Sequence, residues 1–198
     1  SAIFYGLRIS IAVGAISIDP TNSGTIYVGT GEPNLSADSF AGKGLYIIRN
    51  ANTASPTLTG PFRLNGLGVD VLSGRSIGRI MVAPSNNNIV YVSTTTGTGG
   101  NPNTSGFNVP LAGLYRSTNA QSANPTFEQV QITGVPTPNN RSVIDIQLDP
   151  ANDNVLIASV LGATGDGGLY RTTNALSATP TFTRTLVLPD GSTNGRAE

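Results

Sequence analysis

One phrase recurs three times in this chain and limits its fold more than any other feature. Residues 44–58 read GLYIIRNANTASPTL, residues 113–127 read GLYRSTNAQSANPTF, and residues 168–182 read GLYRTTNALSATPTF. The copies align without a gap over fifteen positions, and eight of those positions are identical in all three. Self-similarity at a long period marks a repeat architecture, in which each unit is one supersecondary element and neighbouring units bury one another's faces.

A second set of anchors frames the same repeat. GAISIDPTNSGTIYVGT (14–30), GRIMVAPSNNNIVYVST (78–94) and IDIQLDPANDNVLIASV (144–160) align on Pro20, Pro84 and Pro150, which stand 64 and 66 residues apart. Before each proline, apolar residues alternate: Ile16 and Ile18, Ile80 and Val82, Ile146 and Leu148. Period two predicts a strand with one buried face. The Asn-, Ser- and Gly-rich residues after each proline are hairpin-turn chemistry. TIYVGT, IVYVST and VLIASV follow, β-branched and nearly continuous in apolar character, as expected of central strands buried on both faces. A connection of variable length comes next (31–43, 96–112, 161–167), then the Gly-Leu-Tyr strand, a turn at Asn-Ala, and an outer strand that starts at Pro-Thr-Leu or Pro-Thr-Phe.

No helical period of useful length appears. The expected fold is all-β, built from propeller blades of four antiparallel strands. A β-helix is the rival, but its coils are shorter and carry no four-strand internal pattern. The units are blade 1 at 14–63, a connection at 64–77, blade 2 at 78–132, a connection at 133–142, blade 3 at 143–189 and a tail at 190–198. Residues 1–13 form a lead-in strand or the end of a preceding blade. Three blades do not close a ring, and an open arc leaves two strand edges bare. The expected partners are therefore the remaining blades of a larger ring in the same chain, or other copies of it. Ser1 is not an initiator methionine, so a processed or trimmed product is expected.

Composition narrows the function classes. Eleven cationic and eleven anionic side chains give no net charge, so bulk electrostatics draws neither nucleic acid nor an anionic membrane. The chain has no Cys, His or Trp. That excludes disulfides, thiolate metal sites and acid–base catalysis by histidine; no metal and no cofactor is expected. No apolar run approaches the ~18 residues of a membrane-spanning helix. Charged residues make up 11% of the chain, and Lys43 is its single lysine. A surface filled by Ser, Thr, Asn and Gly points to a secreted or cell-surface protein.

The residues also carry a family likeness. Ile-x-Ile-Asp-Pro (16–20), Ile-Tyr-Val-Gly-Thr (26–30), Gly-Leu-Tyr-Arg-Ser-Thr-Asn (113–119) and Pro-Thr-Phe (125–127) occur in an order that resembles the Asp-box, or BNR, repeat of sialidase-like propellers. Sortilin-type and xyloglucanase-type propellers are relatives of that group. The likeness covers about residues 14–187, and GTGEPNLSADSFAGKGLY (29–46) resembles a variant common in large secreted bacterial repeat proteins. In the family the box is Ser-x-Asp-x-Gly followed by an aromatic residue, and its Asp braces the turn between the third and fourth strands. Here Asn119 and Asn174 stand in the Asp position, after Ser117 and Thr172, and Phe127 and Phe182 replace the usual Trp. The first copy has Asn50, with Ile48 where the hydroxyl belongs, and the box Gly is absent. The resemblance implies a structural role for these residues.

Candidate ligand-binding residues lie in the loops that gather on one face of a propeller. Arg75 and Arg141 each stand nine residues before an anchor proline, and Glu32, Asp38 and Asp166 occupy the loops between second and third strands. The resemblance implies a carboxylate-binding arginine cluster on this face, since guanidinium reads carboxylate through two parallel hydrogen bonds. The competing reading has both arginines bonding loop carbonyls or a neighbouring blade, with the acids solvated. The first copy has Ile11 at the arginine position. A hydrolase would need two of the acids at glycosidase separation. DPANDN (149–154) and GATGDGG (162–168) are rich in oxygen ligands but follow no calcium-loop pattern, and read as turns. TGTGG (96–100) lacks the Gly-Lys-Ser/Thr ending of a phosphate loop.

No residue is assigned a catalytic role. The functional expectation is a non-catalytic secreted or surface scaffold for binding a glycan or protein, or for assembly. The alternatives are a fragment of a glycoside hydrolase of sialidase or xyloglucanase type, and a self-assembling extracellular structural protein.

Overall fold

The computed structural model describes residues 12–36, 39–96, 109–137, 139–162 and 165–186. Twelve strands occur among them, in three sheets of four. The first sheet holds β1 (Val13–Asp19), β2 (Asn22–Thr30), β3 (Leu45–Arg49) and β4 (Thr57–Phe62). The second holds β5 (Ser76–Val82), β6 (Val90–Thr95), β7 (Leu114–Ser117) and β8 (Glu128–Val130). The third holds β9 (Val143–Asp149), β10 (Asn152–Val160), β11 (Gly168–Thr172) and β12 (Thr183–Leu186). Every neighbouring pair is antiparallel, and strand order in each sheet follows chain order.

The register gives each sheet two distinct faces. In the second sheet, Ile80, Val92 and Tyr115 lie in one cross-strand row and Met81, Tyr91 and Arg116 in the next. The first row belongs to the leading face, turned to the preceding sheet, and the second to the trailing face. The core is built where a trailing face meets a leading face. One cluster joins Tyr27, Leu45 and Ile47 of the first sheet to Ile80, Val82, Val90, Val92, Tyr115 and Phe127. The other joins Tyr91 and Leu114 of the second to Ile146, Leu148, Leu156, Ala158, Tyr170 and Phe182 of the third.

Burial therefore depends on position in the row of sheets, and two sequence expectations hold only in part. β6 is buried at every residue because sheets cover both of its faces. β2 and β10 alternate between buried and partly exposed side chains, since each has a sheet on one face only among the described residues. The alternating inner-strand residues are buried in the second and third sheets: Ile80 is 2% exposed and Ile146 1%. Their first-sheet equivalents Ile16 and Ile18 are 67% and 57% exposed, with no described sheet in front of them.

Small residues let the sheets approach. A Cβ on Gly29 would lie 2.4 Å from Ile77 Cγ2, and one on Gly14 would lie 2.5 Å from the Ile77 carbonyl oxygen. The anchor-proline turns also tie adjacent sheets together. Asp19 Oδ1 accepts from the Thr21 N–H and hydroxyl, both at 2.8 Å. Its Oδ2 accepts from Asn87 Nδ2 of the next sheet's turn at 2.9 Å. One sheet further on, Ser85 donates its N–H and hydroxyl to the Asp153 carboxylate.

Candidate functional site

Asn119 and Asn174 of the recurring phrase each brace a turn through a single side-chain oxygen. Asn119 Oδ1 accepts from the Ser117 hydroxyl at 3.0 Å, from the Thr126 N–H at 2.9 Å and from the Thr126 hydroxyl at 3.4 Å. Asn174 Oδ1 accepts from the Thr172 hydroxyl at 2.7 Å and from the Thr181 N–H at 2.9 Å. The carboxamide oxygen thus does what a carboxylate oxygen does, as an acceptor only. Ser117 and Thr172 are buried, and so are Phe127 and Phe182, each on the core side of its turn. The first copy lacks the hydroxyl, and Asn50 sits in the left-handed region at φ 55°, where an Asn is tolerated better than most residues.

The two candidate arginines each pin a loop of their own sheet. Arg75 is 1% exposed, and its Nε donates to the Pro110 carbonyl at 2.6 Å. Its own carbonyl accepts from Gly42 N–H at 3.0 Å, which draws the first sheet's 31–43 loop against it. Burial lowers its pKa to about 10, partly countered by Tyr115. Tyr115 donates its hydroxyl to the Leu111 carbonyl at 2.6 Å, beside Pro110, and burial pushes its pKa up to about 12. The third sheet repeats the device with a carboxylate. Arg141 Nε donates to Asp166 Oδ2 at 2.8 Å, and Tyr170 donates to the Asp166 carbonyl at 2.6 Å. Arg141 keeps 24% of its side chain exposed and Asp166 7%.

Glu32 is used inside its own loop, where Oε2 accepts from the Phe40 N–H at 2.9 Å. Asp38 lies outside the described residues, as do most of TGTGG (96–100) and part of GATGDGG (162–168). The structure thus brings Arg141 together with Asp166. It places Arg75 on a backbone carbonyl and Glu32 on a backbone amide. DPANDN forms a turn in which Asp149 Oδ1 accepts from the Ala151 N–H at 2.8 Å. No group of three or more potential metal-ligating side chains occurs among the described residues.

Two features escaped the sequence reading. Each seam between sheets opens outward into a groove. One, of about 590 Å³, is bounded by the 59–68 segment and by Ala123–Thr126, with Arg63, Asn65 and Asn124 on its walls. The other, of about 580 Å³, is bounded by residues 131–135 and Ala178–Thr181, with Gln129, Gln131 and Asn139 on its walls. Both take one wall from the residues around Pro-Thr of the recurring phrase. The phrase was visible, but the opposite wall comes from connections with no shared wording. The second feature is a guanidinium across each seam. Arg49 donates to Gln121 Oε1 at 3.0 Å and to the Ala120 carbonyl at 3.4 Å. Arg116 donates to the carbonyls of Ala175 and Ser177 at 2.6 and 2.8 Å. The seam tyrosines reach the same turns: Tyr27 accepts from Gln121 Nε2 at 2.8 Å, and Tyr91 donates to the Ala175 carbonyl at 2.8 Å.

Four-stranded antiparallel sheets, repeated in chain order and packed face to face, resemble the blades of a β-propeller. No protein-family model matches the chain, and no curated protein matches it. Among solved structures it is similar to an ancestral GH74 enzyme, with a TM-score of 0.51 and 22% identity over 90% of this chain and 19% of that one. The GH74 xyloglucanase from Xanthomonas campestris gives a TM-score of 0.49 and 16% identity, over 81% of this chain and 21% of that one. A GH43 β-1,3-galactosidase gives 0.44 and 14%, over 90% of this chain and 36% of that one. The likeness is one of fold. This chain spans about a fifth of the length of the GH74 structures it matches.

Proposed function

We propose that this chain is a non-catalytic propeller segment of a secreted or surface protein, a rigid scaffold that presents binding surfaces to a glycan or protein ligand. One observation carries the reading. The charged side chains that a hydrolytic site would use hold loops in place: Glu32 on Phe40, Arg75 on Pro110, Arg141 on Asp166. The amide-lined grooves at the two seams support it, because carboxamides offer donors and acceptors to hydroxyl-rich ligands without net charge. The finer family reading is a degenerate Asp-box propeller, supported by the bracing role of Asn119 and Asn174. Surface composition supports secretion.

The test is a glycan array paired with a reducing-sugar assay on xyloglucan and related β-glucans. The expected result is retention without release of reducing ends, and about tenfold weaker retention (roughly 1.4 kcal/mol) in Asn124→Ala or Gln131→Ala. Steady release that disappears in Glu32→Gln would overturn the reading in favour of a glycoside hydrolase.

A further inference from the structure

The connection after β4 closes a loop on itself at an Asn-Gly pair. Asn65 donates its N–H to the Val69 carbonyl at 2.8 Å, and its own carbonyl accepts from the Gly68 N–H at 3.0 Å. The Asn65 side chain turns back along the same loop. Its Oδ1 accepts from the Leu67 N–H at 3.0 Å and from the Val69 N–H at 2.9 Å. The Gly66 N–H, directly after Asn65, points out of the loop and donates to Glu128 Oε1 at 2.8 Å. Glu128 opens β8 of the next sheet. It is held beside the loop because the preceding Phe127 N–H donates to the Leu64 carbonyl at 3.0 Å. Asn65 is the only asparagine among the described residues that is followed by glycine, and Asn194–Gly195 lies outside them. Asn22, Asn86 and Asn152 also turn Oδ1 onto the N–H two residues on, but Ser23, Asn87 and Asp153 follow them, with side chains that crowd the intervening nitrogen.

We infer that Asn65–Gly66 is a site of self-catalysed succinimide formation, with Glu128 as its base. The nucleophile is the Gly66 backbone nitrogen and the electrophile is Asn65 Cγ. Glu128 Oε1 stands within the reach of a general base and takes the Gly66 proton as the N–Cγ bond forms. Negative charge develops on Asn65 Oδ1, where the Leu67 and Val69 N–H groups already point and stabilise it. The Cγ–Nδ2 bond then breaks, and Nδ2 leaves as ammonia with the proton that Glu128 returns. Water opens the imide at either carbonyl, which leaves an aspartyl or an isoaspartyl residue at position 65. One ammonia is lost, one water is gained, and nothing is oxidised or reduced. Glycine suits the nucleophile position because it puts no side chain between the nitrogen and the base; a Cβ there would lie 3.2 Å from Glu128 Oε1. Asn65 forms part of the wall of the 59–68 groove, through which ammonia leaves and water enters. The product is a carboxylate in place of a carboxamide, on a wall that also carries Arg63. This inference rests on the loop and β8 and is independent of the ligand-binding role.

The experiment incubates the folded chain at neutral pH, with the same chain unfolded in urea as the reference. Arg63 and Arg75 flank a tryptic peptide, 64–75, in which Asn65 is the only asparagine. Mass spectrometry of that peptide should show the loss of one ammonia and then the gain of one water, with isoaspartate at position 65 identified by fragmentation. The folded chain should react about tenfold faster than the unfolded one, or more, as a positioned base requires. Glu128→Gln keeps an acceptor for the Gly66 N–H but removes the base. It should bring the folded rate down to that in urea while leaving far-UV circular dichroism unchanged. A folded chain that reacts no faster than the unfolded one would overturn the inference, because the closed loop would then be protecting Asn65. An unchanged folded rate in Glu128→Gln would overturn it as well, by leaving the carboxylate no part in the reaction.

Discussion

At the scale of single residues, carboxamide oxygens brace turns and arginines hold loops. Asn119 Oδ1 collects three donors, none of which needs the Asn amino group. Asn119→Asp should therefore leave stability nearly unchanged at neutral pH, whereas Asn119→Ala should lose ~1–3 kcal/mol by stranding the donors. Urea unfolding of the two variants distinguishes these outcomes. The buried tyrosines give a second expectation. Burial is the main cause that raises both Tyr27 and Tyr115 to about 12, from the ordinary 10.0. A raised folded value means their contribution is intact below pH 10 and is lost as pH climbs towards 12. Arg75, lowered to about 10 from 12.5, works in the opposite sense: its burial opposes folding below pH 10 and is relieved above it. In a tyrosinate absorbance titration, Tyr27 and Tyr115 should ionise only near pH 12 and together with unfolding.

Position nine before the anchor proline was legible as a shared arginine, but what the arginine does was not. Pro110 lies 35 residues from Arg75 and offers only a backbone carbonyl, which every residue has. Asp166, by contrast, was a visible acid, and its pairing with Arg141 joined two residues that the sequence had singled out separately. A backbone acceptor leaves no signature in a sequence, while a carboxylate does.

At the scale of elements, the seams carry the molecule. Each seam combines an apolar core, a tyrosine and an arginine directed at the Asn-Ala turn, and inner strands brought close by glycine. Gly29 has no room for a methyl group against Ile77. Gly29→Ala should destabilise by ~1–3 kcal/mol through overpacking, a loss visible in the thermal unfolding midpoint. The strand pairing itself was legible because it is local: each hairpin joins consecutive strands, and the turn chemistry lies between them. The grooves were not, because their walls come from different repeats.

At the scale of the whole molecule, burial is graded along the row of sheets. β6 is enclosed on both faces, while β4 is exposed or partly exposed at every residue. Amide hydrogen exchange should therefore be slowest in β6 and fastest in β4, since opening free energy follows buried apolar contact.

The sequence by itself determined the repeat, the four strands within each unit, their order and their register-setting turns, because all of these arise from neighbours in the chain. Only the tertiary structure decided which faces are covered. Ile16, Ile80 and Ile146 occupy the same place in the same pattern, yet one is exposed and two are buried. The pattern records a side chain's need for a partner. Whether a partner is there depends on a sheet some sixty residues away, and hydrophobic burial is a property of that contact, not of the residue that awaits it.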